Sequence, residues 1–202
     1  MDENKKSNKI QSTKSNELVT VAESPVAAEA LQRAIDYFGN VFRLSNSVGF
    51  KRNGNFYDIL SSKKRIGPLI ALKVEAATKG YVKRHELCPN YDWSLVPPTD
   101  WSSINEKGEQ THMYYTTLEH DGVKKAFNRA VEYFGSVTGL SRALQYESCS
   151  RVSQVIHGKT KVGPLLALKI EALTKGHVTR QELCPDYDWL IFPPFDWSKS
   201  EC

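Results

Sequence analysis

Residues 137–157 read VTGLSRALQYESCSRVSQVIH, and this stretch decides the fold. Val137, Leu140, Ala143 and Leu144 recur at helical spacing, which predicts a short helix over 137–144 with one apolar stripe. A polar turn at 145–148 leads into a further helix over about 149–157, where Val152, Val155 and Ile156 are spaced for burial. Gly158 then closes that helix, since glycine accepts the left-handed backbone that helix ends favour. Two short helices joined by a turn this tight have helix-turn-helix dimensions. With Val152, Val155 and Ile156 inward, Ser150, Gln154 and His157 fall on the outer stripe, flanked by Arg151 and Ser153.

The flanking sequence completes a small bundle. Upstream, Phe127, Ala130, Val131 and Phe134 form one helical face that ends at Gly135. Downstream, Gly163-Pro164 opens a fourth helix, because proline suits the first helical turn, and Leu165, Leu168, Ile170 and Leu173 supply its core. Thr179-Arg180-Gln181-Glu182 is a capping-box pattern that predicts one last short turn before Pro185. No segment carries strand periodicity, so the expected class is all-α, with four or five short helices per unit.

The unit occurs twice. RAIDYFGNVFRLS at Arg33 recurs as RAVEYFGSVTGLS at Arg129, IGPLIALKVEAATKG at Ile66 as VGPLLALKIEALTKG at Val162, and VKRHELCPNYDW at Val82 as VTRQELCPDYDW at Val178. All three blocks share an offset of 96, without a gap from 30–101 to 126–197. Two copies are too few for a solenoid, so each unit must close most of its own core. The expected organisation is a polar, disordered tail (1–25), a first repeat (26–101), a linker (102–122) and a second repeat (123–202). Met113, Tyr114, Tyr115 and Leu118 interrupt the polar linker.

The order VEYFG-S-x-x-x-LSRAL, RVSQVIHGK and VGPLLALKIEALTKGHVTRQELCPDYDW resembles the YdaS-like branch of the Cro/C1-type helix-turn-helix repressors. The likeness covers nearly all of each repeat, and it is most specific from the fourth helix through T-R-x-E-L-x-P-x-x-D-W. It implies two tandem, lambda-repressor-like helix-turn-helix bundles that bind DNA as bacterial or phage-derived regulators, some of them antitoxin-like. On this resemblance the base-reading face of the second repeat falls on Ser150, Arg151, Ser153, Gln154 and His157. Two copies in one chain depart from the family's usual arrangement.

Residue chemistry is compatible with that implication. Glutamine pairs bidentately with adenine, and Ser and Arg are versatile donors to base edges. Lys159 and Lys161 follow where a backbone phosphate would lie. In the first repeat, the candidate contacts are Lys51, Arg52, Asn53, Asn55, Tyr57, Lys63, Lys64 and Arg65, with the basic residues at both ends of the corresponding helix. A solvated polar face is the plainer reading of any such stripe, and the pattern alone does not separate the two. The copies diverge most over residues 46–62, where Gly54, Asp58 and Ser61 stand in place of Ser150, Gln154 and His157. Glycine reads nothing, and aspartate beside phosphates is unfavourable unless it accepts from a cytosine amino group. The second repeat is therefore expected to read sequence, while the first clamps the backbone or reads a different half-site.

Other features set the boundaries. The net charge of +4 does not choose a partner. No apolar run approaches the length of a membrane span, and the first residues lack a secretory pattern. Four cysteines without a C-x-x-C pair predict a reducing cytoplasm, and the family resemblance implies a nucleoid-associated setting within it. Cys88 and Cys184 are expected to be buried, and Cys149, near the recognition helix, to be a buried or inert thiol rather than a redox switch. His85, His112, His120, His157 and His177 show no ligand spacing, so neither metal, cofactor nor enzymatic activity is expected. Glu75 and Glu171 on the fourth helix call for no more than a solvated face or an ion pair.

Each repeat closes with Y-D-W-x-x-x-P-P-x-D-W, giving Tyr91, Trp93, Pro97, Pro98 and Trp101, then Tyr187, Trp189, Pro193, Pro194 and Trp197. Small bundles lack apolar area, so these straps are expected to seal the cores. A protein-interaction surface is the alternative. Double-stranded DNA is the expected partner and a homodimer a further one. The competing reading is an interaction adaptor or antitoxin-type component with weak DNA contact.

Overall fold

The computed structural model describes residues 18–50, 54–96, 98–99, 120–189 and 192. Among them the chain is all-α, with ten helices and no strand. The first five are α1 (Pro25–Phe38), α2 (Val41–Ser47), α3 (Gly54–Leu60), α4 (Pro68–Ala77) and α5 (Arg84–Leu87). The next five are α6 (His120–Tyr133), α7 (Val137–Ala143), α8 (Ser150–Ile156), α9 (Pro164–Leu173) and α10 (Arg180–Leu183). From α2 onward the two sets match residue for residue at the offset of 96.

Local chemistry sets these boundaries. Asn40 and Ser136 cap α2 and α7 by accepting the Arg43 and Gly139 N–H groups. Gly67-Pro68 and Gly163-Pro164 open α4 and α9. The expected capping box is present at α10: Thr179 Oγ1 accepts the Glu182 N–H, and the Glu182 carboxylate accepts the Thr179 N–H at 2.9 Å. The turn between α7 and α8 is longer than the four residues expected. It runs from Leu144 to Cys149, because Gln145 turns left-handed at φ 59° and Cys149 provides no side-chain cap.

Two apolar cores result. The first gathers Leu31, Leu44, Phe56, Ile59 and Leu87 from α1 to α5. The second gathers Phe127, Leu140, Leu144, Val152, Leu168 and Trp189, and Leu72, Ala76 and Val96 of the first repeat also belong to it. Of the predicted core positions, Phe127, Ala130, Leu140, Leu144, Val152, Leu168 and Ile170 are buried, whereas Val131, Phe134, Val155, Ile156, Leu165 and Leu173 are half-buried. The helices are too short for every apolar position to face inward.

Trp93 and Trp189, the tryptophans among the described residues, pack on these cores, as expected of the start of each strap. Trp189 is 1% exposed and donates its indole N–H to the Cys184 carbonyl at 2.8 Å; Trp93 does the same to Cys88 at 3.1 Å but is half-buried. Pro97, Trp101, Pro193, Pro194 and Trp197 lie outside the described residues. Cys88 is buried and Cys184 half-buried, while Cys149 is exposed.

Glu75 and Glu171 form ion pairs, and these lie inside the fold rather than on a solvated face. Arg84 Nε is 3.5 Å from Glu75, and Arg180 Nε is 3.0 Å from Glu171. Burial lifts the Glu171 carboxyl from 4.5 to about 7, against the pull of the Arg180 guanidinium. The folded chain thus retains a proton that the unfolded chain has released, and stability falls as pH rises across that window. Glu171→Gln removes this slope. Thermal melts between about pH 4.5 and pH 7.5 are expected to show wild type losing on the order of 3 kcal/mol relative to the variant. Parallel pH profiles would contradict the burial effect.

Candidate nucleic-acid interface

The side chains of α8 divide by burial. Val152 is buried at 1% and Val155 and Ile156 are half-buried, while Ser150, Arg151, Gln154 and His157 are exposed and Ser153 is half-buried. This division follows the helical repeat, because one inward stripe leaves the opposite stripe to solvent. α8 packs on α7 and α6, which hold its inner side. Beyond it, Gly158 turns left-handed at φ 68°, and the Lys159 N–H is bonded to the Gln154 carbonyl at 2.8 Å. That tight turn keeps Lys159 beside the outer stripe, and both Lys159 and Lys161 are exposed.

Two side chains of this stripe are restrained. The Arg151 guanidinium lies 5.5 Å from the centre of the Tyr146 ring, and Ser150 Oγ is hydrogen-bonded to Ser148 Oγ. Stacking leaves the donor edge of an arginine available while reducing the freedom lost on binding. Gln154 offers both an amide donor and an acceptor from an exposed position.

The face of α3 differs in kind. Asp58 pairs with Lys64 at 2.8 Å, and Lys64 also donates to Asn55 Oδ1 at 3.1 Å. The hydrogen bond from Lys64 holds the Asp58 carboxyl below its ordinary value. One of the expected phosphate contacts is therefore neutralised within the repeat, while Lys63 and Arg65 remain exposed. Tyr57 is 53% exposed on the same helix. Lys51, Arg52 and Asn53 lie outside the described residues. Net charge does not separate the copies, since residues 26–101 carry 11 Lys/Arg and 7 Asp/Glu, and residues 123–202 carry 11 and 8. Placement does.

Two features have no counterpart in the sequence reading. A cavity of about 1000 Å³ opens beside the end of α8, lined by Phe127, Val155, Ile156, His157, Lys161 and Tyr187 among others. In the first repeat, the end of the tail is ordered rather than disordered as expected: Leu18 and Val21 pack against the core, the Ile66 N–H bonds the Val19 carbonyl at 3.2 Å, and Ser24 caps α1. Nothing in 123–202 announces this cavity, because its walls mix core positions such as Phe127 with exposed polar ones such as His157 and Lys161. The second feature is a set of cross-repeat contacts. Lys73 sits 5.3 Å from the centre of the Tyr187 ring, and Lys169 sits 5.1 Å from the centre of the Tyr91 ring. Periodicity placed these lysines on α4 and α9 but could not show what they face.

Among the described residues, no three His, Cys, Asp or Glu side chains group as metal ligands would, and no helix is long and apolar enough to cross a membrane. A family model described as "Bacterial toxin YdaS" matches residues 127–191, the span from α6 to just past Trp189. No curated protein and no solved structure matches the chain.

Proposed function

We propose that the chain is a bacterial, sequence-specific DNA-binding regulator of the cytoplasm in which two fused helix-turn-helix units meet one operator. The single observation that carries this reading is the exposed stripe Ser150, Arg151, Gln154 and His157, set opposite buried Val152 and followed by exposed Lys159 and Lys161. Short, amide and guanidinium side chains on one face of a short helix suit base edges in the major groove, and lysines beyond its end suit phosphates. The likeness of residues 127–191 to the YdaS family agrees with a small regulator-like or toxin–antitoxin role. Binding would block or assist polymerase according to where the operator lies.

Equilibrium binding to a duplex enriched from a random pool tests this. Gln154→Ala is expected to relax specificity at one base pair and to cost about 1–3 kcal/mol there. Asp58→Ala should leave the base pair read through Gln154 unchanged and, by freeing Lys64 from its internal partner, should not weaken binding to any sequence. Replacing Lys159 and Lys161 by alanine should weaken binding to all sequences and lower the salt slope by about one per lost phosphate contact. Failure to bind random duplex at about 50 mM salt would remove the reading, because phosphate contacts supply non-specific affinity.

A second reading has its own support. The matched family is described as a toxin, and α3 turns an internally paired Lys64 and an exposed Tyr57 outward. Both fit an interaction or antitoxin-type component, which the same salt titration distinguishes.

A further inference from the structure

We infer that one molecule of this chain is a complete reader of an inverted pair of unlike half-sites, with no second copy required. The inference rests on the DNA-binding reading above and adds the geometry of the target. Its basis is the way the repeats meet. α4 packs against α9, helices that correspond at the offset of 96. The contacts around this pair are exchanged: Lys73 of the first repeat lies over Tyr187 of the second, and Lys169 of the second lies over Tyr91 of the first. Each lysine also feels the aspartate beside that tyrosine, Asp188 for Lys73 and Asp92 for Lys169. Positions 73 and 169, and 91 and 187, are equivalent.

Exchange of this type selects a two-fold relation. In a head-to-tail arrangement, one patch of the first repeat would meet a different patch of the second. Here the same patch serves on both sides, as in a symmetric dimer, although the two halves are covalently one chain. The turns that lead into both third helices meet this pair. Asp92 accepts a hydrogen bond from the Gln145 side chain in the turn before α8, and Lys169 is near enough to Arg151 for their charges to repel. On the other side, Lys73 sits 5.4 Å from the centre of the ring of Phe50, which ends the described turn before α3.

A two-fold relation fixes the polarity of what can be read. Helices related this way contact half-sites of opposite orientation, so the operator mirrors the protein's symmetry. A direct repeat would need a translation that the exchanged contacts do not allow. The half-sites must also differ in sequence. No position from 46 to 62 is identical to its counterpart in 142–158, so α3 and α8 present different side chains from equivalent places.

Selection of the full chain against duplexes randomised over about four helical turns tests this, with the mass of the resulting complex measured by light scattering. The expected result is two different motifs in inverted orientation, at one fixed spacing near a helical turn, with one chain per duplex. Each motif alone should bind at least about 100-fold more weakly than the pair. Motifs in the same orientation, a solitary motif, variable spacing, or two chains on a symmetric site would each overturn the inference while leaving DNA binding intact. No enrichment at all would remove the DNA-binding reading and this one together. Lys169→Glu supplies a second test, because it sets a carboxylate against Tyr91 and Asp92. The variant should still enrich both motifs but lose their fixed spacing, and spacing unchanged from wild type would overturn the docked arrangement.

Discussion

Trp189→Ala is expected to lower stability by about 3–5 kcal/mol, the cost of emptying a large buried aromatic site. Trp189 is 1% exposed and ranks among the largest fully buried side chains of the second repeat. Its ring centre lies 4.6 Å from that of Tyr187 and 6.0 Å from that of Phe192, so its loss also loosens the strap that holds both. Its indole N–H is the shorter of two donors to Cys184 O, and that carbonyl would keep only the Tyr187 N–H at 3.3 Å. The Arg180 guanidinium, 5.6 Å from the ring centre, would lose its stacking surface. Urea denaturation followed by far-UV circular dichroism measures the cost without relying on tryptophan fluorescence. Trp93→Ala is the comparison. Half-buried, it should cost clearly less, and equal costs would show that burial is not what distinguishes the two positions.

The second large effect concerns Arg180. Arg180→Met is expected to cost about 3–5 kcal/mol above about pH 8, where Glu171 is ionised in the wild type and the substitution leaves that charge buried and uncompensated. The side chains of Arg180 and Glu171 are only 3% and 9% exposed, so water cannot replace the guanidinium. Below about pH 7 the penalty should shrink, since burial already favours the protonated acid and the lost cation raises its pKa further. Adding Glu171→Leu should recover much of the loss, because a buried pair replaced by apolar side chains of similar size is often no less stable. A double-mutant cycle run at two pH values reads all of this. Strictly additive single costs would show that the two side chains do not act as a pair.

Much of the fold was legible because it rests on local signals. The stripe at Val137, Leu140 and Leu144, the Gly163-Pro164 start and the Thr179–Glu182 capping box each specify their helix within a few residues. The misjudged turn before α8 shows the limit of such signals. Gln145 adopts a left-handed backbone that glutamine does not advertise, and Cys149 occupies a cap position without capping. The exposed stripe of α8 was legible for the same reason as its helix, since burying Val152 determines what faces out. The pairing of Lys64 with Asp58 and Asn55 was not, because residues 55 and 64 meet only once the chain turns after α3. Long-range partners were the least legible. Glu171 looks like any acidic residue on an amphipathic helix until Arg180, nine residues on, closes over it. The exchange between Lys73 and Tyr187 spans more than half the chain, and no periodicity encodes it.

The covalent joining of two units that meet through equivalent patches has a consequence for mutational freedom. In a dimer of identical subunits every substitution appears twice, so a change that suits one side is imposed on the other. Here a single substitution alters one side only. The docking patch is held to its form because each half of it must fit the other, as Leu72 with Leu168, Lys73 with Lys169 and Tyr91 with Tyr187 illustrate. The outer faces carry no such mutual obligation, and no residue from 46 to 62 is identical to its counterpart in 142–158. One gene product can thus hold symmetry constant where the halves touch and abandon it where they face outward.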